Sequence, residues 1–114
     1  MGTIRHYRDV RAILIRDAAH RRRTITFDEV QVILGRDIGY DYWARILDPM
    51  AMREVRITGH DLTKLITHAG GRPRYFSDIA AGELPGSRVW TPRYLAAWKR
   101  ECEKIYDAYK NITP

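Results

Sequence analysis

Residues 24–49 read TITFDEVQVILGRDIGYDYWARILDP, and the fold turns on how this stretch is read. Thr26 followed three residues later by Glu29 is a capping box, in which the hydroxyl accepts from the Glu29 backbone and the carboxylate returns to the Thr26 N–H. A short helix begins there, with Phe27, Val30, Ile33 and Leu34 on its apolar side and Gly35 placed to end it in a left-handed conformation. After the turn GRDIG, Trp43, Ile46 and Leu47 share one helical face, with Tyr40 at its edge. Pro49 is expected to break this second helix, Asp48 then capping a further turn through Met50, Met52 and Val55. Two short helices about four residues apart, the second ending in a bend, form a helix-turn-helix pattern.

Toward the N-terminus, no Gly or Pro interrupts residues 3–21, and Tyr7, Val10, Leu14 and Ala18 recur at helical spacing with Ile13 beside them. The spacing predicts a helix packing that stripe inward. At 100° per residue Arg5, Arg8, Arg11, Arg16, Arg22 and Arg23 fall within an arc of about 140° on the opposite side. Ile4 and Ile15 project into the same arc, so this face could also meet a protein surface. Toward the C-terminus, DLTKLITH, the turn cluster from Ala69 to Pro73, and RYFSD predict a β-hairpin. Residues 77–90 are expected to form a short helical turn and a loop. Thr91 and Pro92 then cap a long helix whose seam is Leu95, Trp98, Cys102, Ile105 and Tyr109. The expected class is mainly α with a small β-hairpin (α+β), in one domain over residues 1–114. Its parts are a basic helix over 1–23, helix-turn-helix and hairpin over 24–76, and a closing helix over 91–111.

Composition bounds what this fold can do. The chain has 114 residues, 30% of them charged, and room for one modest core. The N-terminal 23 residues hold seven Arg and two Asp, which is five of the six net positive charges. Sixteen Arg against four Lys suits bidentate contact with phosphate or carboxylate. A G+C-rich coding sequence would leave the same excess. The absence of a long apolar run excludes a membrane-spanning helix, and the arginine-studded start does not read as a secretory signal, so a cytoplasmic location is expected. The single Cys102 cannot form an intrachain disulfide, and the four histidines lack zinc-site spacing, so neither metal nor cofactor is expected.

Catalytic candidates are sparse. Cys102 sits on an inward seam, where a thiol behaves as a small hydrophobe. His60 beside Asp61 is the one close pairing of histidine and carboxylate in sequence. Asp28 and Glu29 are adjacent and point apart on a helix. Residues 70–73 read GGRP without the Lys-Ser/Thr pair of a phosphate loop. No enzymatic activity is expected.

The order helix, short helix, short helix, hairpin, closing helix resembles a winged helix-turn-helix domain. TITFDEVQVILG resembles the opening of the helix-turn-helix part of alkylguanine-DNA alkyltransferases and alkyltransferase-like proteins. Residues 24–76, with DLTKLITH followed by GGRPRYF, are similar to small uncharacterised bacterial and phage proteins of winged-helix type. The Pro-Cys-His-Arg motif of the alkyltransferases has no counterpart, so alkyl transfer is not implied. The resemblance implies non-covalent binding of double-stranded DNA by a small regulator or accessory factor. The second short helix would lie in the major groove, with Arg36, Asp41, Tyr42, Ala44 and Arg45 near base edges. Arg72 and Arg74 would lie at the wing tip, and Arg22, Arg23, Arg72 and Arg74 would anchor phosphates. Asp37, Asp41 and Asp48 offset the arginines of that reading helix. A homodimer would lengthen the short footprint, although no zipper is present. The alternative is a protein-binding module that docks through the Ile4, Arg8, Ile15 face or through Trp90, Tyr94 and Trp98. Double-stranded RNA is a third partner class, without a stacking motif to support it.

Overall fold

The computed structural model describes residues 2–74 and 92–114, with side chains from His6 onward except that of Tyr40. Within these residues the chain is mainly helical with one small two-stranded sheet. Helix α1 (Gly2–Ile13) forms as its spacing predicts and continues into a π-helical segment, Leu14–Ala19. The wider turn is visible in the bond from the His20 N–H to the Ile15 carbonyl, 2.9 Å and five residues back. This segment is packed by the strand, the 3-10 turn and the last helix, so it is covered on several sides. Ile15, expected among the arginines, is instead fully buried with Val10, Ile13, Leu14, Ala18 and Ala19.

The chain reverses through Arg22, which takes a left-handed φ of 51°, into strand β1 (Ile25–Thr26). The capping box forms as read. The Glu29 N–H donates to Thr26 Oγ1 and the Thr26 N–H to Glu29 Oε1, each at 3.1 Å, starting helix α2 (Phe27–Leu34). Gly35 ends it at φ 74°, a conformation that only glycine adopts without a steric penalty.

Helix α3 (Tyr40–Thr58) corrects the expected break at Pro49: it runs through the proline without interruption. Pro49 lacks an N–H and so forfeits one helical hydrogen bond, but its ring lies on the solvent side while Trp43, Ile46, Leu47 and Met50 anchor both halves in the core. Continuity sets the later residues. Met50 and Glu54 turn inward, while Met52 (62% exposed) and Val55 (47%) turn outward.

The expected hairpin is also revised. Leu62–Leu65 form a 3-10 turn rather than a strand, because Asp61 caps it by accepting from the Thr63 N–H at 2.9 Å. Strand β2 is only Ile66–Thr67 and pairs parallel with β1, Ile25 opposite Ile66 and Thr26 opposite Thr67. An antiparallel return follows as a single bridge between Thr67 and Pro73 around the Ala69–Gly71 turn. The expected second arm, the turn over 77–90, Trp90 and the Thr91 cap lie outside the described residues. Helix α4 (Pro92–Tyr109) buries Tyr94, Trp98, Cys102, Ile105 and Tyr109 against the π-helical segment and the 3-10 turn. Trp98 Nε1 donates to the Lys64 carbonyl at 3.2 Å, fixing that docking. Among the described residues, no helix is long and apolar enough to cross a membrane.

Candidate nucleic-acid interface

Most of the expected phosphate anchors are engaged within the molecule. Arg22 pairs with Glu103 and with Asp107 (3.0 Å), lying over the Tyr106 ring. Arg23 pairs with Glu29, the capping carboxylate. Arg74 is turned inward, donating to the Thr63 carbonyl at 2.9 Å and stacking over Phe27, so it is not a side chain of an exposed tip. Burial lowers its pKa against the opposing influence of Asp61 and Asp48. Arg72 is exposed. Arg36 donates to His6 Nε2 at 2.9 Å, and Tyr42 meets the same imidazole edge-on with ring centres 5.7 Å apart. Arg36 and Tyr42 are therefore gathered beside the N-terminal part of α1. Arg45 is exposed on the same side of α3.

Between α1 and α3 runs a groove of about 870 Å³. Tyr7, Arg8 and Arg11 line it from α1, and Arg45, Pro49 and Arg53 from α3. Asp9 and Pro114 also border it. The α3 residues recur every four positions, which puts them along one edge of a continuous helix. Among the described residues, Arg8, Arg45 and Arg53 form no ion pair. Arg11 is held from below: its Nε donates to Glu54 Oε2 at 3.1 Å, and Glu54, fully buried, also accepts from the Tyr109 hydroxyl at 2.7 Å. Burial and Glu54 raise the Tyr109 pKa, against a lowering hydrogen bond with Thr58. The Tyr7 pKa is raised by burial first and then by Glu54, against the neighbouring Arg53 and Arg11 guanidinium groups.

Arg53 and Arg8 were missed as site residues for identifiable reasons. Ending the helix at Pro49 hid the 45, 49, 53 repeat, and Arg8 had been assigned to a face shared with Ile15. The repeat itself was the available signal.

Other candidates resolve into packing. Cys102 lies in the α4 seam, where burial pushes its thiol up to about 12. His60 does not face Asp61. Its Nδ1 lies 3.4 Å from Glu101, which is also 3.8 Å from the buried Lys64, while Asp61 is occupied by Thr63. Tyr94 and Trp98, expected in an aromatic docking cluster, are buried. Compared with protein-family models, characterised proteins and solved structures, the chain matches none.

Proposed function

We propose that this protein binds double-stranded DNA without catalysing a reaction, as a small regulator or accessory factor, through the arginine-lined groove between α1 and α3. The observation that carries the reading is the convergence of Arg8, Arg45 and Arg53, none ion-paired among the described residues, on one groove. Unpaired guanidinium groups bind phosphate more readily than those already bonded to carboxylates, because no existing pair must be broken. Arg36 and Tyr42 extend the same side past the start of α3. In this reading α2 and α3 are the two helices of a winged helix-turn-helix, and the edge of α3 that faces α1 meets the backbone. The rival reading, docking of a protein on the first helix or the aromatic cluster, is weakened because Ile15, Tyr94 and Trp98 are buried and cannot serve as anchors.

Three phosphate contacts give a slope of log affinity against log salt of about −2.7 for a B-form duplex. The test is a fluorescence-anisotropy titration of a labelled duplex across salt concentrations with the wild-type chain and the double variant Arg45→Gln/Arg53→Gln. Two lost contacts should flatten the slope by about 1.8. Failure to bind duplex at low salt, or an unchanged slope in the double variant, contradicts the proposal.

A further inference from the structure

We propose that His6 is a proton-operated catch on Arg36, holding the guanidinium while the imidazole is neutral and releasing it to the duplex when the ring is protonated. The inference rests on the reading of this side of the molecule as a DNA-binding face and adds its regulation. Arg36 Nη1 donates to His6 Nε2 at 2.9 Å. A guanidinium carries donors only and keeps its charge, so Nε2 offers its lone pair and the ring hydrogen sits on Nδ1. Nε2 is then the one basic nitrogen of the ring, and a proton competes with Arg36 for the same lone pair. Nδ1 offers no second route, since it is shielded from solvent and makes no hydrogen bond among the described residues.

Once Nε2 carries a hydrogen, two donors face each other where one bond stood, and two positive charges adjoin. The ring is flanked by Tyr42, edge-on with centres 5.7 Å apart, and the Arg36 backbone is anchored where its N–H donates to the Gln31 carbonyl at 3.2 Å. The exposed Arg36 side chain is the part that moves. Groups of both signs surround the imidazole. Asp9 lies one turn along α1, Asp37 follows Arg36 in the turn after α2, and on α3 Asp41 precedes Tyr42 while Arg45 follows it by one turn. Among the described residues no carboxylate pairs with Arg36, so a guanidinium that leaves His6 is open to phosphate. Histidine is the side chain whose charge ordinarily changes between about pH 5 and 8. Acid therefore adds one cation and releases another on the side that carries Arg8, Arg45 and Arg53.

The experiment has two arms on the full chain. In the first, the imidazole resonances of His6 and the guanidinium resonances of Arg36 are followed by NMR between about pH 8 and 5 without DNA. The Arg36 signals should move with the same midpoint as those of His6, and Arg36 signals that stay still through the His6 titration overturn the catch. In the second, salt-dependent titrations with a duplex carrying a dye that does not ionise in this range are run at about pH 7.5 and about pH 5.5 for wild type and His6→Gln. The glutamine amide oxygen accepts from Arg36 at every pH, while His20, His60 and His68 titrate in both proteins. The slope of log affinity against log salt should therefore steepen on acidification by about 0.9 more in wild type than in His6→Gln, the share of one added phosphate contact. Duplex binding with equal changes of slope in the two proteins overturns the catch and leaves the DNA reading standing. No duplex binding at either pH defeats the DNA reading and the regulation with it, whatever the imidazole does.

Discussion

Arg72 and Arg74 stand two positions apart in one turn cluster, and their surroundings could hardly differ more. Arg72 is exposed, whereas Arg74 reaches back under the chain to the Thr63 carbonyl and hydroxyl and lies over Phe27. Sequence reading put both at an exposed tip, because nothing in GGRPR says which guanidinium turns inward. The difference is set by a bridge between Thr67 and Pro73 and by a 3-10 turn that offers its Thr63 carbonyl. Arg74→Ala should lower unfolding stability by about 1.5–3 kcal/mol, the range for hydrogen bonds to a charged group. Arg72→Ala should stay within about 0.5 kcal/mol of wild type. Urea denaturation of the two variants checks this, and equal losses would mean that Arg74 is not held as described. Glu54 gives a parallel lesson. Its burial follows from the continuity of α3, so its bond to Arg11 could not be anticipated from a helix read as ending at Pro49.

At the scale of elements, local chemistry was legible wherever a short motif decides the outcome. The capping box at Thr26 and the Gly35 stop are present as read, and the seam of α4 is present from Trp98 to Tyr109, with Tyr94 rather than the expected Leu95 buried at its start. Two features were not legible. The segment Leu14–Ala19 is packed by β1, the 3-10 turn and α4, so Ile15 is buried on the side where a helical wheel puts arginines. Pro49 sits on the exposed edge of a helix anchored at both ends, and tertiary packing outweighs its local cost. The capping box also predicts an acid response. Glu29 is held below the usual carboxylate range, first by the Thr26 backbone N–H and also by Arg23. A lowered native pKa means that the unfolded chain binds more protons in that interval. The contribution is therefore fully present above roughly pH 4.3 and is lost as pH falls through the native value. Glu29→Gln should accordingly lower stability at pH 6 and flatten its decline between pH 5 and 2, measured by thermal melts. An acid limb as steep as that of wild type would remove Glu29 from the account.

Seen as a whole molecule, the basic character of the chain divides into two populations. The arginines at 22 and 23 tie the turn after the π-helical segment to α4 and α2, while Arg8, Arg45 and Arg53 form no ion pair among the described residues and line one groove. Charge counting along the sequence found the excess in the first 23 residues but could not see that Arg22 is paired with carboxylates 81 and 85 residues away. It therefore placed the anchors at Arg22 and Arg23 and left out Arg53. The mainly helical class was readable because periodicity and caps are local. The groove was not, since it depends on how α1 crosses α3. The most direct test of the groove is to follow backbone amide resonances of the labelled protein as a short duplex is added at low salt. The largest shifts are expected at Arg8, Arg11, Arg45 and Arg53, with little change at Arg22, Glu103 and Asp107. Shifts concentrated around Arg22 and α4, or spread evenly over the surface, would contradict it.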